Sequence, residues 1–512
     1  MKDWTFVTQG ASLDAADPIE APTADGPVDP TRLTPRLRAI LAVVLVADIL
    51  DLMDSTITNI AAPSIARDLG GGESLIKWLG AGYALAIGVL LVVGGRLGDR
   101  YGKRRIFLIG ITGFTIASAL CGLSVDPAMI IVGRLVQGGF GALMIPQGIS
   151  ILMATFTRAQ LPRAVSAFGP AMGVSAVLGP IAAGFIISAN IADLDWRPVF
   201  LINIVLGLIG LIAAIRLLPH DQPVSHEPID AVGAALLGAT MLALIFGLIQ
   251  GSTNGWTALP ISSLVGGVLL FGGFAERQRQ AANPLLTPSL LKNKGFTAGL
   301  ILGLGFFAAV SGLAYVISLF FQLVLHLSPS RAALGLAPVM LGIIAASIVC
   351  RPLLTSLGRR LVVLGLVTTL LGVLGLWLTV LAKGTSVTPW FTAPSLLVLG
   401  VGMGACFSTI YEVALGDVTH EEAGSASGSL SAVQQLATAI GSAIVTTVFF
   451  NVLRGSGGAR AMTVSVLVVG IVIVLCLGLV WLLPRAAPAE MDSDMASIAE
   501  AEPTVLRDGA TV

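Results

Sequence analysis

The chain has 512 residues, of which 55% are apolar and only 11% are Asp, Glu, Lys or Arg, with 29 basic residues balancing 29 acidic ones. An ordinary soluble domain carries about 25% charged residues, because its surface must be hydrated. Lipid therefore has to cover most of this chain, and the absence of net charge removes the electrostatic case for a nucleic-acid partner.

Residues 1–38 are polar and rich in Asp, Glu, Pro and Ala. No basic segment precedes a short apolar core, so this stretch predicts a disordered tail and not a signal peptide. Spanning-length apolar runs then follow at 39–62, 75–94, 106–124, 128–155, 164–188 and 198–218. Two more lie at 231–250 and 259–275, and a last group at 296–325, 332–354, 361–382, 392–415, 426–453 and 461–483. The total is fourteen helices, since runs this long and continuous lack the alternation of a lipid-facing barrel strand and a helix satisfies its own backbone in lipid. The fold class read from the sequence is thus an all-α integral membrane protein. The acidic segment 484–512 predicts a second disordered tail.

With the N-terminus inside, nineteen Lys and Arg fall on the cytoplasmic side and seven outside, namely Arg67, Lys77, Arg197, Arg331, Lys383, Arg454 and Arg460. That asymmetry predicts cytoplasmic termini. No loop is long enough for a folded enzyme domain. The cysteines Cys121, Cys350, Cys406 and Cys476 sit in apolar runs without a CxxC pair, and the histidines His220, His226, His326 and His420 lack metal spacing. Neither a metal nor a cofactor is expected.

The first span carries Asp48, Asp51 and Asp54. Steps of three residues put successive acids about 60° apart, so the trio occupies a sector of about 120° over about 9 Å of rise. A charge at mid-bilayer costs about 2.5–3.5 kcal/mol on insertion scales, so three acids on one face are expected to line a wet cavity, with simple hydration near the cytoplasmic end accounting for Asp48 as well as a role does. Arg134 lies a few residues into the fourth span, where it could serve as a partner for such an acid. Glu412, in the twelfth span, is the other membrane acid, and snorkelling to the helix end accounts for it as well as function does.

Between the second and third spans runs Gly95, Arg96, Leu97, Gly98, Asp99, Arg100, Tyr101, Gly102, Lys103, Arg104, Arg105. A positive-inside anchor would explain the basic residues but not the Gly-x-Leu-x-Asp spacing. The pattern resembles the signature loop of the major facilitator superfamily. Further residues are similar to the fourteen-helix drug:proton antiporter family: Asp54 to Pro63 in the first span, Arg134, Gln137, Gly138 and Gly141 in the fourth, and Gly173, Ser175, Gly179, Pro180 and Gly184 in the fifth. Trp196, Arg197, Phe200, Asn203 and Gly207 extend the likeness to the sixth span. Ser175 and Ala183 replace glycines of the helix-five antiporter motif.

The resemblance implies two six-helix halves, 39–218 and 296–483, with an extra helix pair and linkers at 219–295. It also implies alternating access, no cofactor beyond the proton gradient, a small-molecule substrate, and a monomer in the cytoplasmic membrane of a prokaryote. Gly358, Arg359 and Arg360 align on Gly102, Lys103 and Arg104 as a worn copy of the signature loop, in which Thr355 replaces the acid. Asp54 is then expected to be the coupling acid, assisted by Asp51 and Asp48 and tuned by Arg134. Gly95, Asp99, Arg100, Gly102 and Arg104 form the gating loop, with Asp99 as its latch. The expected function is proton-coupled efflux of small lipophilic, cationic drugs or biocides. A dedicated exporter of one metabolite or antibiotic would share every motif. An importer of the same superfamily fits the helix-five motif less well, and a non-transporting receptor or scaffold leaves the membrane acids without a role.

Overall fold

The computed structural model describes residues 33–157, 160–165, 167–220, 230–281, 284–285, 288–350, 353, 357–415, 418 and 423–483. The tail 484–512, residues 1–32 of the first predicted tail, Thr355 and the Glu412 side chain lie outside the described residues; the end of that first tail is corrected, because Thr34 caps and Pro35 opens a helix that already includes Arg36 and Arg38. The described residues form fourteen long helices: α1 (Pro35–Asp68), α2 (Gly72–Tyr101), α3 (Lys103–Gly122), α4 (Pro127–Thr155), α5 (Phe168–Ala189), α6 (Pro198–Leu217), α7 (Ala231–Asn254), α8 (Ala258–Gln280), α9 (Lys294–Leu319), α10 (Pro329–Cys350), α11 (Arg359–Lys383), α12 (Pro389–Ala414), α13 (Ala423–Ser456) and α14 (Gly458–Leu479). Twelve are long and apolar enough to cross a membrane by composition alone. The two exceptions are α1, which carries several charges, and α5, whose described apolar stretch is the short Leu178–Ala189. The predicted fifth span 164–188 opens instead as a separate turn of helix, Leu161–Val165, ahead of α5.

Local chemistry explains where the helices start. Thr34, Asp126, Asp230 and Asn293 each accept a backbone N–H of the first turn of α1, α4, α7 and α9. Proline at the first turn of α1, α4 and α6 costs no hydrogen bond there. The paired loops use a different device. Gly102 (φ 96°) and Gly358 (φ 46°) precede α3 and α11 with positive φ, which a side chain would strain. This equivalence supports reading the Gly358 segment as a copy of the signature loop.

Helices α1, α2 and α4 begin or end alternately on two faces, here termed the basic face, where α1 starts and α2 ends, and the far face. Across the far half of the membrane one apolar cluster joins the two halves, with Ile57, Ile60 and Leu79 packed with Val316, Phe320 and Leu336. Tyr315 donates to the Ile76 carbonyl at 2.6 Å and Ser318 to the Asn59 carbonyl at 3.2 Å. Gly184 lets α5 meet the start of α10, since a Cβ there would lie 2.7 Å from the Pro329 carbonyl oxygen. At the basic face, by contrast, the clusters around Val44, Phe107 and Leu152 and around Phe296, Ala414 and Leu430 each belong to one half. The halves are closed on each other at the far face.

Candidate functional site

Polar side chains from five helices of the N-terminal half meet inside it. Asp54 of α1 is fully buried and is ion-paired and hydrogen-bonded to Arg134 of α4, which is 1% exposed. The other carboxyl oxygen accepts from Gln137 Nε2 at 3.0 Å and from Asn203 Nδ2 of α6 at 2.6 Å. Ser118 of α3 accepts a second bond from both amides, at 2.8 and 3.0 Å, and Arg134 also donates to Gln137 Oε1 at 2.7 Å. The guanidinium lies 4.1 Å from the Tyr83 ring centroid and 5.7 Å from that of Phe200. Cations over desolvated rings gain about 2 kcal/mol. Tyr83 of α2 in turn donates to Asp51 Oδ1.

The three acids share one side of α1, as the spacing predicts, and that side faces α4. A Cβ at Gly141 would lie 3.1 Å from Asp51 Oδ1, and one at Gly148 would lie 3.9 Å from Asp48 Oδ2. Their surroundings differ from the wet cavity expected. Exposure is 0% for Asp54, 7% for Asp48 and 9% for Asp51, while Leu52, Met53, Ser55, Thr56 and Asn59 form the partly exposed side of the helix. The physical reason is that the bundle itself supplies donors to Asp54 and Asp51, so water is not needed to make their burial tolerable.

The signature loop is built differently from the buried cluster. Arg96 donates to the Pro284 carbonyl at 2.6 Å, and Arg104 to that of Ile215 at 2.8 Å, near the carboxyl end of α6, where the helix dipole favours a cation. Arg100 stacks over the Tyr101 ring at 5.3 Å. Gln147 of α4 donates to the Gly94 carbonyl at 2.8 Å and so ties α4 to α2 just ahead of Gly95. Asp99 is exposed and makes no ion pair among the described residues. In α5, a Cβ at Gly179 would run into Thr56 Oγ1, so the glycine-proline segment with Pro180 inside the helix packs directly on α1.

Sequence reasoning paired Arg134 with the acids but gave no role to Tyr83 or Ser118. Their signal was present as hydroxyl side chains within otherwise apolar runs, which lipid does not favour. Lys77 needs a correction. It counted as an external loop cation, yet it is fully buried in α2, with Ser252, Thr253 and Glu73 around its ammonium group. Of the seven cations that the sequence reading put outside, six are therefore left to count at the far face.

A model of the Major Facilitator Superfamily matches residues 44–442. The chain belongs to this superfamily. It is similar to the "Probable actinorhodin transporter" of Streptomyces coelicolor, 41% identical over 458 residues that cover 87% of this chain and 79% of the relative. It is also similar to the tetracenomycin C resistance and export protein of Streptomyces glaucescens, 32% identical over 79% of this chain and 74% of that protein. The multidrug efflux pump LfrA of Mycolicibacterium smegmatis is 29% identical over 84% of each chain. Among solved structures, a POT family transporter in complex with a thioalcohol-conjugated peptide superposes with a TM-score of 0.63 at 14% identity, over 86% of this chain and 95% of that one. That last likeness concerns the fold alone. The protein is a multi-pass membrane transporter of this superfamily, similar to exporters of drugs and antibiotics, and not an enzyme.

Proposed function

We propose that the chain is a proton-coupled exporter of small lipophilic compounds, cationic ones preferred, working by alternating access. The observation that carries this reading is the Asp54–Arg134 pair, wholly buried within one half and braced by Gln137 and Asn203. As a stabilising device a buried ion pair is a poor choice, because apolar replacements of equal volume do as well or better. A carrier has a use for one: a proton arriving on the carboxyl releases the guanidinium and alters how α1, α4 and α6 are held together. From Asp54, Asp51 and Asp48 continue toward the basic face in steps of about 4.5 Å along α1. With the basic face taken as cytoplasmic by its Arg and Lys, the acids lead protons inward.

Three carboxyls accompany one guanidinium in this core. The surplus of acids favours a cation in the low-dielectric seam between the halves. Asp99, exposed while the far face is closed, is read as the latch that engages when the basic face closes in its turn. A dedicated exporter is the second reading, favoured by relatives named for single compounds, actinorhodin and tetracenomycin C.

The test is efflux from cells expressing the chain, loaded with a panel of dyes, biocides and antibiotics, with and without a protonophore. Export of several cationic compounds that stops with the protonophore, and stops in Asp54→Asn, is the expected result. Protonophore-insensitive export, or full export by Asp54→Asn, overturns the coupling assignment. Export of one compound alone favours the dedicated exporter.

A further inference from the structure

The helix pair α7–α8, inserted between the halves, touches both of them, but unevenly. At mid-membrane α7 shares an apolar cluster with α2 and α13, through Met241 and Ile245 against Leu85 and Ala443. Toward the basic face the partner of the pair among the described residues is α2: Val92 and Val93 pack on Ala234 and Phe274, and Arg96 donates to Pro284 just after α8. At the far face the buried ammonium of Lys77 holds α7 to α2 by donating to Ser252 Oγ at 2.8 Å and Thr253 Oγ1 at 3.1 Å. The pair is therefore fastened to the N-terminal half along its whole length.

The C-terminal half reaches α7 with a polar grip at one end. Arg454 of α13 donates through Nη2 to the Ser252 carbonyl at 2.5 Å and through Nη1 to the Thr253 carbonyl at 3.4 Å, while its guanidinium lies 3.7 Å from Glu73 of α2. The carbonyls in the last turn of a helix have no intrahelical partner and sit at the negative end of its dipole, so they make a natural seat for a guanidinium. Thr447 adds a hydroxyl contact to Ser252 at 3.3 Å.

We propose that α7–α8 moves as part of the N-terminal half and completes its far-face gate, so that the carboxyl end of α7 and Glu73 together form the seat that Arg454 leaves when the far face opens. Lys77 acts as a positioning residue that fixes this seat to α2. The proposal rests on the alternating-access reading but on neither proton coupling nor substrate, and its first readout needs neither.

The experiment uses the full chain with the four native cysteines replaced, after that background is shown to accumulate. Ser318→Cys serves as reporter, buried at the seam between α9 and α1. A membrane-impermeant maleimide added outside intact cells labels it only when the far face opens. Arg454→Gln and Lys77→Met should each raise labelling about three- to tenfold, the population shift that follows from losing the net contribution of one ordinary hydrogen bond. Unchanged labelling in both, at normal abundance, overturns the proposal. If these variants fail to accumulate, the pair Ser252→Cys and Thr447→Cys is used instead. Its oxidation should abolish reporter labelling and efflux, and reduction should restore both. Labelling at the reduced level in fully cross-linked protein would mean that α7 does not part from α13, which also overturns it. Loss of labelling on cross-linking in a protein that exports nothing on the panel would leave the gate standing and count only against the export reading.

Discussion

Replacing Asp54 by Asn while Arg134 stays in place separates what the buried cluster does for stability from what it does for coupling. The Asn carbonyl oxygen can still accept from Gln137 and Asn203, which reach Asp54 at 3.0 and 2.6 Å, but its amide turns a donor toward the Arg134 guanidinium. That guanidinium is 1% exposed and keeps Gln137 Oε1 and the faces of Tyr83 and Phe200, contacts it already makes, so nothing new offsets the lost carboxylate. Breaking one side of a buried pair costs about 3–5 kcal/mol. Arg134→Met should cost toward the lower end of that range, because two neutral donors remain on the carboxyl. The double variant Asp54→Asn/Arg134→Met removes both charges and should return to within about 1 kcal/mol of the parent, as replaced buried pairs commonly do. Unfolding in detergent gives the three stabilities, and their cycle should show a coupling of about 5–8 kcal/mol, the two single costs less what the double variant still loses. Proton-driven efflux should be absent from all three. A double variant as unstable as the sum of its parts, or one that exports with the proton gradient, would refute the reasoning.

Tyr83→Phe removes the donor to Asp51 and should cost about 1–3 kcal/mol, measured in the same unfolding assay, while the Asp54 contacts persist. Asp99→Asn should leave abundance unchanged and lower the efflux rate, since the carboxyl is exposed and makes no ion pair among the described residues in the far-closed state; wild-type efflux would make the loop an anchor only. At the far end of α1, beyond its apolar part, Asp68 accepts from Trp196 at 3.0 Å and from Arg197 at 2.8 Å, and these hold its carboxyl below the usual carboxylate range. A value lower in the folded state means stabilisation present above about pH 4 and lost as pH falls through the folded value. Asp68→Asn should flatten stability against pH in that acid range and change neutral stability by less than about 1 kcal/mol, because the pair is partly exposed. A reporter fused after Leu483 should be active only if it works in the cytoplasm.

The positions of the spans were legible because lipid imposes one requirement on every spanning segment, about 20 apolar residues that satisfy their own backbone, and this requirement is local. The common side of Asp48, Asp51 and Asp54 was legible for the same kind of reason, since it follows from helix periodicity alone. The Gly102 and Gly358 turns, with their basic residues, could be recognised as a pair because a positive φ restricts the residue type wherever it occurs. What those acids face was not local. Side chains 80 and 149 positions away in the chain, Arg134 and Asn203, reach Asp54, and only the packing of α4 and α6 against α1 decides whether it meets them or water. The same holds for Lys77. Four residues after Glu73 it reads as an interfacial cation, yet the insertion of α7 against α2 buries it, 175 positions away from the hydroxyl that accepts its proton donor. Sequence determines which residues a membrane will tolerate and on which side of a helix they stand, whereas the meeting of helices distant in the chain decides which charges are paired, and so which can take part in transport.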